Sequence, residues 1–176
     1  MQMKKLSLFA CLIAVLASPM VSAEAAPLTD RQIEVIRANC LSAQSTMLQL
    51  QRSEAATRVN RGRAYESISK IMTSLNSRVA LKKLSGPGLT SATAEMQKRF
   101  NSFKDDYSAY EDSLNTIVKL PCGEQPVTFY DSLTNARDLR AKVAADVDGI
   151  NETLDSYQNS INNLRDSLGL EVRTSQ

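Results

Sequence analysis

Apolar side chains recur with a heptad spacing along three long segments of the chain. The clearest segment has no proline or glycine from Ala92 to Leu120, and its apolar residues repeat at alternating steps of four and three. They are Met96, Phe100, Phe103, Tyr107, Tyr110, Leu114 and Ile117. Such spacing places these residues on one face of an α-helix. It predicts a helix over about residues 90–120.

Two further segments carry the same spacing. The downstream stripe predicts a helix over about residues 127–168, and the upstream stripe predicts one over about residues 29–80. The downstream members are Phe129, Leu133, Ala136, Val143, Val147, Ile150, Leu154, Tyr157, Ile161, Leu164 and Leu168. The upstream members are Ile33, Ile36, Cys40, Ala43, Met47 and Leu50 and, after a gap, Tyr65, Ile68, Met72, Leu75 and Val79. Three long amphipathic helices are therefore predicted.

Capping and turn residues separate these helices. Thr29 with Gln32 three residues later is a capping-box signature, and Thr90 or Ser91 can cap the second helix. The connections contain Ser85-Gly86-Pro87-Gly88 and Pro121-Cys122-Gly123-Glu124-Gln125-Pro126. Short connections between long helices favour antiparallel packing. The predicted fold is all-α, an elongated, coiled-coil-like antiparallel three-helix bundle that follows an N-terminal signal helix.

The N-terminus has the three parts of a secretory signal peptide. Lys4 and Lys5 precede an apolar run over residues 6–17, and small residues at 21–23 offer a cleavage site. The run is too short for a stable membrane span, and no later stretch approaches that length. We therefore expect residues 1–23 to be removed on export. Residues 24–176 would form a single three-helix domain without a transmembrane span in the periplasm, outside the cell or on its surface.

Removing the signal peptide makes the chain neutral. Residues 24–176 carry 19 basic and 19 acidic side chains, since Lys4 and Lys5 are lost from the 21 basic residues. The charge is uneven, because residues 24–99 hold 12 basic and 6 acidic side chains whereas residues 100–176 hold 7 and 13. Halves of opposite charge attract each other when they pack side by side. The pattern favours internal complementarity and argues against a nucleic-acid partner.

Two cysteines remain after export, Cys40 and Cys122, and an exported chain permits a disulfide between them. A first helix that ran to Leu84 would leave Cys122 about 16 Å from Cys40 along the helix axis, too far for a disulfide. An end near Val79 with an extended segment over residues 120–122 reduces the mismatch to about 6 or 7 Å. The disulfide hypothesis therefore predicts an early end or a kink in the first helix.

The apolar pattern of the first helix lapses over residues 51–66. Continuing the heptad places Glu54, Thr57 and Arg61 at core-type positions, and polar residues of the other two helices fall at the same height. The candidate residues of this level are Arg52, Glu54, Arg58, Arg61, Arg63, Asp105, Asp106, Arg137 and Arg140. One interpretation is a polar layer that fixes helix register or lies in solvent. The other is an arginine-rich groove for an anionic or carboxylate-bearing partner.

Catalytic chemistry has little support in the sequence. The chain has no histidine, no tryptophan, no cysteine cluster for a metal, and no glycine-rich phosphate loop or nucleophile elbow. The carboxylate pairs Asp105-Asp106 and Glu111-Asp112 are adjacent on one helix, so their side chains diverge rather than face one site. We therefore expect no enzyme activity, no cofactor and no metal.

Two resemblances concern the cellular role. Leu28-Thr29-Asp30-Arg31-Gln32 resembles the LTxxQ motif of small periplasmic helical chaperones of the Spy and CpxP type. A broader set of features spans nearly the whole mature chain: the signal peptide, Cys40, the arginine-rich run over residues 52–63, and Cys122 before Phe129-Tyr130. This set resembles a group of uncharacterised exported helical bacterial proteins, and that resemblance implies no activity.

Long helical faces suit partner helices or unfolded polypeptides better than small molecules. The sequence therefore predicts an exported, non-enzymatic protein-binding or scaffolding module at the cell envelope. Its partner would be another protein or a second copy of itself. One alternative is a holdase chaperone of the periplasmic type. The other is a binder of an anionic polymer that uses the basic first helix.

Overall fold

A computed structural model describes residues 27–169, and the predicted signal peptide lies outside the described residues. The described part contains three helices and no strand: α1 (Asp30–Leu81), α2 (Pro87–Ile117) and α3 (Pro126–Ser167). The all-α three-helix bundle predicted from the heptads is confirmed. Each observed helix end lies within three residues of the predicted one. At 1.5 Å per residue, the 52 residues of α1 extend over about 80 Å.

The N-terminal cap of α1 is the predicted one, whereas that of α2 is not. Gln32 and Thr29 form a reciprocal capping box, in which the Thr29 amide donates to Gln32 Oε1 at 2.8 Å. The prediction that Thr90 or Ser91 caps α2 is wrong, because α2 begins at Pro87. Proline suits the first helical turn, since its missing N–H would have no partner within the helix there. Thr90 already lies inside the helix.

The two predicted disulfide partners meet beyond the end of α2. The Cα atoms of Cys40 and Cys122 lie 5.6 Å apart, which is the separation found in disulfides. α1 ends at Leu81 rather than Leu84, and α2 ends at Ile117, so the chain leaves the helix before it reaches Cys122. The early end of α1, rather than a break within it, removes the mismatch that a longer helix would create.

α2 is the central helix of the core. Its buried apolar face includes Met96, Phe103, Leu114 and Ile117, each with 1% or less of its surface exposed. A row of aromatic rings in edge-to-face contact runs along this face, with centroid separations from 5.2 to 6.2 Å. It consists of Tyr65 on α1 and Phe100, Phe103, Tyr107 and Tyr110 on α2. Such pairs add stability beyond the area they bury.

The three helices do not pack equally. α2 packs most extensively on α3, less on α1, while α1 and α3 make few direct contacts. Gly149 on α3 helps α2 to approach closely, because a Cβ there would come within 3.0 Å of the Arg99 guanidinium. The weak contact between α1 and α3 leaves a groove between them. α2 forms the floor of this groove.

One partly buried polar cluster ties all three helices together near the connection between α1 and α2. Asn76 on α1 donates from Nδ2 to the Leu89 carbonyl at 3.1 Å and to Thr93 Oγ1 at 2.8 Å, both on α2. Its Oδ1 accepts a hydrogen bond of 3.1 Å from the hydroxyl of Tyr157 on α3. Because each buried polar group has a partner, this cluster fixes the register of the bundle at that end.

Candidate functional site

A cleft of about 320 Å³ opens in the groove between α1 and α3, at the height where the heptad of α1 lapses. All three helices line the cleft. On α1, Glu54, Thr57 and Arg61 occupy core-facing positions, and these residues do not fill the space between the helices with apolar atoms. α2 supplies the floor and α3 supplies a wall that is mostly apolar. The lining residues are Glu54, Thr57, Arg61, Tyr107, Tyr110, Arg140, Val143, Ala144 and Val147.

Tyr107 is tied to α1 by its hydroxyl. The hydroxyl donates to the Glu54 carboxylate and lies 3.2 Å from the Glu54 carbonyl oxygen. Burial raises the pKa of Tyr107 above its ordinary value, and the bond to Glu54 raises it further. Tyr107 is therefore a neutral hydrogen-bond donor that orients the Glu54 carboxylate at the edge of the cleft.

Tyr110 differs from its neighbour. Only 2% of its surface is exposed, yet its hydroxyl has no hydrogen-bond partner among the residues that the structure describes. Burial raises the pKa of Tyr110, as does the negative charge of Glu54, while Arg140 acts in the opposite direction. Tyr110 thus brings to the lining of the cleft a buried O–H donor without a partner in residues 27–169, although buried polar groups almost always have partners.

Two arginines supply charge at the cleft. Neither Arg61 nor Arg140 forms an ion pair within residues 27–169. Glu54 is the one carboxylate in the lining, and it already accepts from Tyr107. The lining therefore carries one excess positive charge. Guanidinium groups present several N–H donors in a planar fork that matches carboxylate oxygens.

The other predicted residues of this level lie elsewhere. Arg58 is paired with Glu111 on α2, with 2.8 Å between Nε and Oε2. Asp106 faces α3, where it interacts with Asp146. The remaining four predicted residues have exposed side chains and do not line the cleft: Arg52, Arg63, Asp105 and Arg137. The four arginines of the predicted arginine-rich stretch are all exposed: Arg58 pairs with Glu111, Arg61 lines the cleft, and Arg52 and Arg63 do neither.

Asp146 on α3 is a second buried polar group, and it is not among the residues that line the cleft. It is 7% exposed, and its Oδ2 has no hydrogen-bond partner in the described part of the chain. Burial raises its pKa, and Asp106 adds to the increase, while a hydrogen bond from Ser102 and the charge of Arg99 oppose it. The carboxylate of Asp106 facing Asp146 disfavours the ionised form of Asp146.

α1 also exposes apolar residues on its outer surface. Leu41, Leu48 and Val59 are separated by 7 and 11 residues, which are both close to whole numbers of helical turns, so they lie on one side of α1. Leu41 is 82% exposed. We refer to these three residues as the outer stripe. Most of the exposed large apolar side chains of the described chain lie on α1.

Sequence reasoning found part of the cleft and missed its floor. Glu54, Arg61 and Arg140 were predicted from the lapse in the heptads, and the structure brings these three together. The apolar stripe of α2 predicts Tyr107 and Tyr110 as core residues, with Tyr107 at the height of the lapse, but it does not predict that the two residues line a cleft. A hydroxyl at a core position, level with a polar lapse on the facing helix, is the signal that could have identified them.

The described residues contain no group of three acidic, cysteine or histidine side chains placed to hold a metal. None of their helices combines the length and apolar character needed to cross a membrane. The chain matches no protein-family model, no curated protein and no solved structure. Function is therefore argued from the geometry of the cleft and of the outer stripe.

Proposed function

We propose that the protein is an exported, non-enzymatic helical bundle that binds another protein at the cell envelope. The observation that carries this proposal is the outer stripe of α1, Leu41, Leu48 and Val59. Large apolar side chains left in solvent along one side of a long helix are typical of a surface that packs against a second helix. α1 offers such a surface over about five helical turns.

Leu41 and Leu48 lie toward the end of α1 that α2 supports least, whereas Val59 lies level with α2, next to the ion pair of Arg58 and Glu111. Gln51 donates to Asn115 and Gln44 donates to the Leu120 carbonyl, and these contacts mark where α2 ends against α1. N-terminal to them, Cys40 holds α1 at Cys122. A disulfide there would keep this end of α1 in place for a partner, and export would supply the oxidising compartment that the disulfide requires.

The experiment that tests this proposal places a photoreactive amino acid at Leu48 and, as a matched control, at Ile71. Both residues are exposed apolar positions of α1, but Ile71 lies on another side of the helix. In cells that make the protein, irradiation should yield a discrete cross-linked product from position 48 and none from position 71. Equal products from both positions, or none from position 48, would contradict a specific partner surface.

A holdase chaperone is the second candidate, favoured by the same exposed apolar residues together with the Spy-like sequence at Leu28–Gln32. A holdase binds unfolded clients at several apolar positions rather than one partner at a defined surface. The purified protein would then suppress the aggregation of a model client at near-stoichiometric amounts. Replacing Leu41 and Leu48 with glutamate should remove that suppression, because it places charge on the stripe.

A further inference from the structure

We propose that the cleft between α1 and α3 binds a carboxylate group attached to an apolar body, and that Arg61, Arg140 and the hydroxyl of Tyr110 donate to it. The proposal concerns a different surface from the outer stripe and does not depend on it. It rests on three independent features of the cleft: an unsatisfied buried donor, unpaired charge and an apolar wall.

The buried donor is the first argument. The hydroxyl of Tyr110 is removed from water and has no partner among the described residues. A buried hydroxyl without a partner is costly, and Tyr110 is one of the residues that line the cleft. Because the hydroxyl is closed to water, a ligand supplied from outside the chain reaches it by displacing the side chains that cover it. The raised pKa of Tyr110 keeps this group protonated and therefore able to donate.

Charge decides which acceptor fits. Arg61 and Arg140 give two positive charges and Glu54 gives one negative charge, so one further negative charge makes the cleft neutral. A carboxylate brings one charge and two acceptor oxygens, which suits guanidinium donors and a phenol. Phosphate carries closer to two negative charges, and the charge beyond one would face the Glu54 carboxylate.

The shape of the cleft supports a ligand whose carboxylate is attached to an apolar body. Val143, Ala144 and Val147 line the α3 side of the cleft. At about 320 Å³ the cleft is at the lower end of the range for ligand sites, which spans about 300 to 1,000 Å³. It can hold a short aliphatic acid, or one acidic side chain of a polypeptide with its apolar neighbours. These are two sources of the same chemistry.

Calorimetric titration of the purified protein tests the proposal, with hexanoate, an amidated and acetylated Leu-Glu-Leu peptide, 1-hexanol and inorganic phosphate as probes. We expect saturable binding of hexanoate or the peptide, with 1-hexanol and phosphate at least about tenfold weaker, because each lacks one of the two features. Tighter binding of the peptide would assign the site to a polypeptide partner. Tighter binding of hexanoate would assign it to a small acid.

Variants of the cleft residues distinguish a binding site from a polar layer that only fixes helix register. Arg61→Gln and Arg140→Gln should each weaken binding about tenfold or more, while Arg137→Gln, an exposed arginine one turn from Arg140, should leave it unchanged. Tyr110→Phe should weaken binding several-fold without lowering the melting temperature, since the hydroxyl has no internal bond to lose. Because Tyr110→Phe should stay folded, a loss of binding in this variant reports on the site and not on unfolding.

Three results would overturn the proposal: neither carboxylate probe binds, phosphate binds more tightly than both, or affinity is the same in Arg61→Gln, Arg140→Gln and Arg137→Gln. Cross-linking at position 48 gives a separate readout of the outer stripe. If cross-linking persists in Arg140→Gln while carboxylate binding is lost, the two surfaces act independently. If carboxylate binding persists while cross-linking is absent, only the partner proposal fails.

Discussion

At the scale of single residues, Tyr107 and Tyr110 show how similar side chains one turn apart take different roles. Both rings belong to the aromatic row of α2, and their centroids are 6.0 Å apart. The hydroxyl of Tyr107 is used by the fold, because it donates to Glu54. The hydroxyl of Tyr110 is not used by the fold within the described residues. Stability measurements on the two phenylalanine variants can therefore separate a structural hydroxyl from one kept for a ligand.

We expect Tyr107→Phe to lower the free energy of unfolding by about 1 kcal/mol, because Glu54 loses a charge-assisted donor. Tyr110→Phe should leave the free energy unchanged or raise it slightly, since it removes an unsatisfied group and keeps the ring. Urea denaturation of both variants under the same conditions measures the difference. If Tyr110→Phe were the more destabilising of the two, its hydroxyl would have an internal partner and the argument for the cleft would weaken.

Asp146 makes stability depend on pH in a direction opposite to most carboxylates. Its pKa is raised in the folded state, first by burial and then by Asp106, with Ser102 and Arg99 acting the other way. The folded chain therefore holds this proton more tightly than the unfolded chain. Its contribution to stability is full below the unfolded pKa and is lost as the pH rises through the folded pKa.

Replacing Asp146 with asparagine removes this titration. We expect Asp146→Asn to stabilise the protein at neutral pH by about 1 kcal/mol, because no buried charge is left facing Asp106. Below the unfolded pKa of aspartate, near 3.9, the gain should disappear. Thermal melts of both proteins across acid and neutral pH measure the gain as a difference, in which the carboxyls that do not interact with Asp146 cancel. A gain that did not change with pH would contradict the raised pKa.

At the scale of the helices, Gly62 is the residue of α1 with the lowest helix propensity. A Cβ built at Gly62 meets nothing within 4 Å, so no close approach requires glycine there. Gly62→Ala should raise the free energy of unfolding by about 1 kcal/mol through helix propensity. Denaturant titration gives the change, and an unchanged slope with denaturant shows that the fold is the same. A destabilised variant would show that α1 bends or packs at Gly62.

The heptads were sufficient to predict which segments form helices and which face of each is buried. The heptads did not predict how far apart the helices lie. α1 and α3 make few direct contacts, and the polar residues Glu54 and Arg61 occupy core-type positions of α1 at the cleft between them. The pairing of Arg58 with Glu111 was missed because it depends on the register of α1 against α2. That register follows from the connection between α1 and α2, which ends where α2 begins at Pro87.

At the scale of the whole molecule, the first third of α1 is joined to the rest of the fold at Cys40 and Cys122 and by the Gln44 hydrogen bond to the Leu120 carbonyl. α2 ends at Ile117, whereas α1 continues beyond that level to Asp30. Cys40 and Cys122, 82 residues apart in sequence, join this extension to the connection between α2 and α3. The extension therefore has fewer helical neighbours than the rest of α1, and its order should follow the state of the two cysteines.

Replacing both Cys40 and Cys122 with serine should lower the free energy of unfolding by about 4 kcal/mol, because the unfolded chain gains the freedom of a long open loop. The structural effect should be local to the extension. Amide hydrogen exchange should accelerate over residues 30–43 and remain slow over residues 65–79, where Tyr65, Met72 and Val79 are buried against α2. Exchange measured by mass spectrometry on peptides of the two segments compares them directly.

The matched control is the addition of a reductant to both proteins. It should accelerate exchange over residues 30–43 in the natural chain and have no effect on the double-serine variant. If the natural chain showed no response, or two free thiols in denaturant without reductant, the cysteines would not be bonded. The extension would then be held by packing alone. If it responded as expected, oxidation would be the step that prepares α1 and its outer stripe for a partner, which links export of the chain to binding.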